Sequence, residues 1–163
     1  MAVVTAQGAV LEALNPLTVT LGVQNVSFVA QAVDWIPELL YDIISKAYHH
    51  RGFSFVRILQ RCPVFTPGIF AEAVKKPALV EMLVHDDGVM VPELDAIYKS
   101  RIAHDPRDID RARHLADATD TIKLGVYFKD PARPRYEEVR RVTPRTAQER
   151  TDLLNAELDR YAV

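Results

Sequence analysis

Cysteine is nearly absent from this chain: Cys62 is the only one among 163 residues. One thiol excludes an internal disulfide, and it excludes a metal site built only from cysteines of a single copy, because such sites need several thiolates. A lone cysteine is also typical of a reducing compartment. We therefore predict a cytoplasmic protein.

Long apolar runs and an excess of charge of one sign are also lacking. No stretch approaches the roughly 18 apolar residues in a row that predict a membrane span. Residues 1–14 contain no lysine or arginine, unlike the basic start of a secretory signal. The formal net charge of −2 indicates no basic surface of the kind that binds nucleic acid or a membrane. We predict neither as a partner.

Four common functional motifs are missing as well. The sequence contains no G-x-G-x-x-G, no G-x-x-x-x-G-K-[ST], no G-x-S-x-G and no H-E-x-x-H. Motifs alone therefore do not identify an enzyme, and the sequence predicts no catalytic residue.

The clearest positive pattern is a strand, a helix and a second strand. Hydrophobic residues make up 48% of the chain, enough for the core of one domain. An apolar strand is predicted at residues 26–30, a helix from Pro37 to Gly52, and a bulky, buried strand at residues 53–59. The helix is expected to bury one stripe, formed by Leu40, Ile43, Ile44 and Ala47. This order is typical of parallel sheets, which bind ligands beyond the carboxyl ends of their strands.

The second half of the chain is less regular. We predict a turn at residues 85–88, a strand at residues 122–128, and an extended connection over residues 131–145. Asp105 and Pro106 are typical of a helix cap and the first helical position. A last helix is predicted from Thr146, with Glu149 completing a capping box, and it is expected to bury Leu153, Leu154, Leu158 and Tyr161. The predicted division is an α/β domain over residues 1–130 and an arm over residues 131–163 that packs on a partner chain.

Cys62 lies just beyond the predicted strand at residues 53–59, where such a fold binds ligands. Two interpretations stay open: a small core residue, or a reactive thiol or metal ligand. Arg57 and Arg61 would favour the thiolate if they face it. No motif places a histidine as its base.

The histidines have two interpretations each. His49 and His50, at a helix end, are expected to complement the helix dipole in solvent, with metal binding as the alternative. His85-Asp86-Asp87 and His104-Asp105 fit turn and cap roles, with hard-cation binding as the alternative.

A family resemblance is carried by segments in a fixed order. They are Asn15-Pro16-Leu17, Val26-Ser27-Phe28-Val29-Ala30-Gln31, and the run from Ala47 to Cys62-Pro63 that contains Gly52-Phe53. They resemble the thiamine-diphosphate (β) subunit of the 2-oxoacid:ferredoxin oxidoreductases, where a Phe-Val-Ala strand, a helix, Gly-Phe and a strand ending in Cys-Pro follow one another. The segments Thr5-x-x-Gly8, His104-Asp105-Pro106 and Leu124-Gly125-Val126-Tyr127 are similar to further parts of that family.

This resemblance implies the C-terminal part of a doubly wound, parallel-sheet, thiamine-diphosphate-binding α/β fold with a helical and extended C-terminal arm. It implies a part in the oxidative decarboxylation of a 2-oxoacid to an acyl-coenzyme A, with electrons passing to ferredoxin. Cys62 matches the cysteine that, in members with a cluster in this subunit, closes the four-thiolate ligation of a [4Fe–4S] cluster, and it is the metal ligand that the resemblance implies.

The departures from the family are large. The Gly-Asp-Gly…Asn element that binds the diphosphate through magnesium is absent, and so are the Cys-x-x-Cys and the third cysteine of the cluster. Thiamine diphosphate, magnesium and the cluster would therefore need residues from outside this chain, and the isolated chain is expected to be inactive. Either a separate polypeptide supplies them or the chain begins partway through a subunit. The alternative function is a non-catalytic assembly module of the same fold.

Overall fold

The structure, a computed structural model, describes residues 13–65, 67–89, 91–140 and 145–161. Two compact units are present, Met1–Arg133 and Pro134–Val163, and the first contains the sheet. The elements in chain order are α1 (Pro16–Leu21), β1 (Phe28–Val33), α2 (Pro37–His49), β2 (Ser54–Leu59), α3 (Ala71–Lys75), a 3-10 turn (Pro77–Leu79), β3 (Val80–Val84), α4 (Pro92–Ile97), β4 (Arg101–Ala103), α5 (Ile109–Asp117), β5 (Ile122–Lys129), α6 (Tyr136–Val139) and α7 (Ala147–Asp159).

The predicted strand–helix–strand unit is confirmed. β1 and β2 pair in parallel along six residues each, and α2 connects them. Pro37 begins α2, where its missing N–H costs nothing, and Asp42 forms an ion pair with Lys46 one turn later at 3.6 Å. β2 lies at one edge of the sheet and is only half-buried, so it is less buried than predicted.

The buried stripe of α2 differs from the predicted one. Leu39 and Ile43 are fully buried, whereas Ile44 is 47% exposed. Apolar residues occur as the neighbouring pairs 39–40 and 43–44, so two overlapping stripes satisfy the helical period. Packing against the sheet selects the stripe that contains Leu39.

The five-stranded sheet is mostly parallel, as predicted, but it contains one reversal. Its order is β2-β1-β5-β3-β4. β5 pairs in parallel with β3 and antiparallel with β1, so that Phe28 lies opposite Lys129. β1 and β2 therefore end at one end of the sheet, which we call the Cys62 end. β3, β4 and β5 end at the other, which we call the histidine end.

Both faces of the sheet are covered by helices, as a doubly wound fold requires. α2 packs on one face through Leu39 and Ile43. On the other face, α1 and α5 pack together through Leu17 and Leu115. The side chain of Asn15 caps α1 by accepting the Leu17 N–H at 3.1 Å, and it donates to the Ala116 carbonyl oxygen at 2.8 Å.

The start of α5 corrects the predicted helix cap. Asp108 is the N-cap, and its carboxylate accepts the N–H groups of Asp110 and Arg111 at 3.0 and 2.9 Å. Asp105 instead accepts the N–H of Arg107 within a preceding turn. Both aspartates satisfy a local N–H, so spacing alone did not distinguish the cap from the turn. α3, β3, α4, β4 and α6 were not predicted.

The last helix is confirmed in its position. Thr146 and Glu149 form the predicted capping box, with N···O distances of 3.2 and 2.7 Å. The apolar residues that α7 was predicted to bury are exposed in the single chain: Leu153 by 47%, Leu158 by 59% and Tyr161 by 76%. Within the described residues, no helix is long and apolar enough to cross a membrane.

Candidate functional site

Cys62 lies in a surface turn at the Cys62 end of the sheet. It comes three residues after β2, it is half-buried, and it belongs to neither hydrophobic cluster. The Phe65 N–H donates to its Sγ at 3.4 Å. Val64 and Phe65 beside it are 76% and 75% exposed. Cys62 therefore lies outside both hydrophobic clusters, in the turn beyond the carboxyl end of β2.

The two arginines considered as neighbours of the thiol have different surroundings. Arg61 donates from Nε to the Asp34 carboxylate at 3.0 Å. Arg57 is half-buried beside Tyr127, and burial lowers its pKa. Asp34 therefore enters the predicted effect of Arg57 and Arg61 on the thiolate, because its negative charge offsets the positive charge of Arg61.

Three histidines lie at the histidine end, two of them in contact, and this placement was not predicted. His85 follows β3 directly and His104 follows β4 directly, and their rings meet edge to face with centroids 5.5 Å apart. His50 packs on Phe28 at 5.4 Å and is half-buried, so its predicted solvated role is wrong. His49 is exposed and its Nδ1 lies 2.8 Å from the Ser45 carbonyl oxygen.

The surroundings of these histidines are mixed in charge. A cavity of about 500 Å³ separates the end of α2 from the 85–88 turn, lined among others by Lys46, His50, Asp87 and Lys129. Lys129 donates to Asp87 at 3.2 Å, and this hydrogen bond lowers the pKa of that carboxyl. The buried Nε2 atoms of His50 and His85 have no hydrogen-bond partner among the described residues.

The roles predicted for the two His-Asp segments have different outcomes. His85 has its turn role, because its carbonyl oxygen accepts the Gly88 N–H at 2.8 Å. His104 has no part in a cap, because α5 begins later; its Nε2 lies 3.3 Å from the Tyr127 carbonyl oxygen. In the described parts of the chain, no three histidine, cysteine, aspartate or glutamate side chains are placed to hold a metal ion.

Protonation of the histidine pair is expected to destabilise the fold. Burial lowers the pKa of both His85 and His104, so below pH 6.5 the unfolded chain binds more protons than the folded one. The melting temperature should fall by several degrees between pH 7.5 and pH 5. The groups that face the pair are Lys46, Asp87, Asp105, Arg111 and Lys129.

Thermal unfolding of a His85→Gln/His104→Gln variant at both pH values tests this expectation. The variant should lose most of the pH dependence, whereas His49→Gln, at an exposed position of α2, should retain it. An unchanged pH dependence in the double variant would assign the effect to other groups.

Comparison with known proteins finds one similarity in sequence and one in fold. No family model matches the chain. Over 80 residues it is 34% identical to the 2-oxoglutarate oxidoreductase subunit KorB of Mycobacterium tuberculosis. The aligned segment covers 49% of this chain and 21% of that protein. The 2-oxoglutarate:ferredoxin oxidoreductase of Magnetococcus marinus, solved with 2-oxoglutarate, coenzyme A and succinyl-CoA bound, superposes with a TM-score of 0.59 at 22% identity. The predicted resemblance is confirmed.

The extent of the match also defines its limits. The superposition covers 91% of this chain and 46% of the solved chain, so the chain spans less than half of that relative. The shared fold is the mixed α/β fold with a mostly parallel five-stranded sheet, which confirms the predicted fold class.

The histidine end could have been found with a rule already applied to Cys62. His85 and His104 each follow a strand directly, at the carboxyl end where parallel sheets bind ligands. The missing information was the strands themselves: neither β3 nor β4 was predicted, and β4 has only three residues.

Proposed function

We propose that this chain is a component of a 2-oxoacid oxidoreductase that acts together with other subunits. The observation that carries the proposal is the similarity, in sequence and in fold, to proteins named 2-oxoglutarate oxidoreductases. In this proposal the complex decarboxylates a 2-oxoacid oxidatively, forms an acyl-coenzyme A and passes electrons to ferredoxin. 2-Oxoglutarate is the first substrate to test, because the names of both relatives contain it.

The role proposed for Cys62 is one thiolate ligand of a [4Fe–4S] cluster. Two features fit that role: Cys62 lies in a turn outside both hydrophobic clusters, and its sulfur already accepts a backbone N–H. Hydrogen bonds to ligand sulfurs and limited contact with solvent are two of the means by which proteins set the potential of such clusters. When bound, the cluster would accept and release one electron at a time.

The remaining cofactor residues belong to other chains or segments in this proposal. The sequence contains neither the Gly-Asp-Gly…Asn element nor a second cysteine. Magnesium and the diphosphate need several oxygen ligands, and a cluster needs three more thiolates. We therefore expect the isolated chain to be inactive and Cys62 to lie where another subunit completes the site.

The C-terminal arm is proposed to bind a partner subunit. α7 exposes Leu153, Leu154 and Leu158. Helices that expose several leucines near one another are typical of association surfaces. This proposal retains the predicted role of residues 131–163.

Co-expression with the products of adjacent genes tests the proposed function. The purified complex should contain thiamine diphosphate and iron and should reduce a low-potential acceptor when 2-oxoglutarate and coenzyme A are added. A stable complex that has none of these three properties would overturn the proposal.

A non-catalytic assembly module of the same fold is the second candidate. The exposed leucines of α7 favour it, because an association surface needs no cofactor. It predicts a complex whose iron content and activity do not depend on Cys62.

A further inference from the structure

We propose that Asp34 is a positioning residue for Cys62, acting through Arg61. The inference rests on the proposed function for its role in electron transfer. Its structural part, that Asp34 determines the position and charge surroundings of the only thiol, is tested on the chain by itself.

Asp34 joins the carboxyl ends of β1 and β2. It directly follows Val33, the last residue of β1, and its own N–H donates to the Leu59 carbonyl oxygen at 3.1 Å, which extends the pairing of the two strands by one bond. Its backbone is therefore held by the sheet. A side chain that projects from this position has a well-defined place at the Cys62 end.

The carboxylate of Asp34 makes two contacts with Arg61. One oxygen accepts the Arg61 backbone N–H at 3.1 Å, and the other accepts Nε at 3.0 Å. The first contact fixes the main chain and the second fixes the side chain. Charge-assisted bonds of this two-point kind hold a geometry more firmly than a single contact does.

The aromatic side chains of Trp35 and Phe70 support the other side of Arg61. Its guanidinium carbon lies 5.7 Å from the centroid of the Trp35 ring, within the range of cation–π attraction. Trp35 in turn packs on Phe70 with ring centroids 5.4 Å apart. Arg61 thus contacts both the Asp34 carboxylate and the Trp35 ring.

Cys62 is the next residue in the chain. The two contacts that fix Arg61 therefore also restrict the position of Cys62, through the peptide bond that joins them. On the far side of the turn, the Phe65 N–H contacts the sulfur at 3.4 Å. The thiol therefore follows a residue that Asp34 holds in place, and it accepts a hydrogen bond from the Phe65 N–H. Asp34 also offsets the positive charge of Arg61, the residue that precedes Cys62 in the chain.

The thiol itself reports the effect of Asp34. Because Cys62 is the only cysteine, the rate at which the chain reacts with neutral dipyridyl disulfide belongs to that residue alone. We expect Asp34→Asn to react about three- to tenfold faster, since the asparagine loses the charge-assisted contact with Arg61 Nε and the turn that contains the sulfur becomes more accessible to the reagent. The backbone N–H of residue 34 still donates to the Leu59 carbonyl oxygen, so the strand ends should stay paired.

The chain contains a matched control. Asp130 and Arg133 form an ion pair at 2.9 Å at the histidine end, with side chains 28% and 45% exposed, against 28% and 49% for Asp34 and Arg61. Asp130→Asn should leave the reaction rate unchanged. Arg61→Lys, which keeps the charge and loses Nε and the planar face, should raise the rate by less than Asp34→Asn. Equal rates in wild type, Asp34→Asn and Arg61→Lys would overturn the inference.

The assembled complex tests the functional part. Asp34→Asn should raise the midpoint potential of the cluster, because an uncompensated cation favours the reduced form; a tenfold change in the equilibrium corresponds to 59 mV for one electron. If Cys62→Ser removes the iron while Asp34→Asn and Asp130→Asn keep the same potential, the positioning role is wrong and the proposed function stands. If Cys62→Ser retains the iron, the ligand role of Cys62 in the proposed function is wrong, while the thiol kinetics still decide the structural part.

Discussion

Cys62→Ser is expected to remove most of the cluster iron from the assembled complex and to lower electron transfer to a low-potential acceptor by more than about tenfold. Changes to groups that only support metal ligands already cost about 10–100-fold, so loss of a ligand should cost at least as much. A serine hydroxyl has the shape of the thiol and lacks its affinity for iron. Iron analysis and acceptor reduction by the purified complex measure both effects.

Assembly should survive this substitution. Cys62 is half-buried in a surface turn, where substitutions usually change the free energy of unfolding by no more than about 0.5 kcal/mol. Val64→Ala changes the same turn at a 76% exposed position and keeps the sulfur, so it is the control and should keep its iron. Full iron and full activity in Cys62→Ser would favour the assembly module instead.

Gly125→Ala is expected to lower the free energy of unfolding by about 2–4 kcal/mol, the sum of backbone strain and overpacking. Gly125 has a φ of +127° in β5, a strand of the sheet interior. An added Cβ would lie 3.0 Å from the Leu83 carbonyl oxygen and 3.1 Å from the Leu83 Cβ. Neither the strand nor its neighbour can move without disturbing the core. Urea unfolding measures the loss.

Gly68→Ala separates the two causes of that loss. Gly68 also has a positive φ, +79°, but an added Cβ there would have no heavy atom within 4 Å. Its substitution should therefore show backbone strain alone, about 1–2 kcal/mol. Equal losses at the two positions would mean that contact with Leu83 contributes nothing.

The resemblance of the sequence located Cys62 better than it located the rest of the candidate site. The order of the segments up to Cys62-Pro63 predicted that the thiol follows a strand, and Cys62 comes three residues after the end of β2. Asp34 was not predicted to contact Arg61, because the two residues are 27 positions apart and meet only after β1 and β2 pair. Spacing along one element contains no information about such a contact.

The sequence by itself determined the local elements. Pro37 determined where α2 begins, Thr146 and Glu149 determined the start of α7, and runs of β-branched and apolar residues determined β1 and β5. These signals depend on residues two to four positions apart, so they can be recognised without knowledge of the rest of the chain.

Only the tertiary structure decided how the strands are ordered and directed. Gln31 and Lys123 are joined by a hydrogen bond across 92 positions of sequence, where β5 enters the sheet between β1 and β3. That reversed insertion placed the carboxyl ends of the strands at opposite ends of the sheet and brought His50 to the same end as His85 and His104. The decision rests on burying both faces of β5, a gain summed over many distant contacts that no local pattern contains.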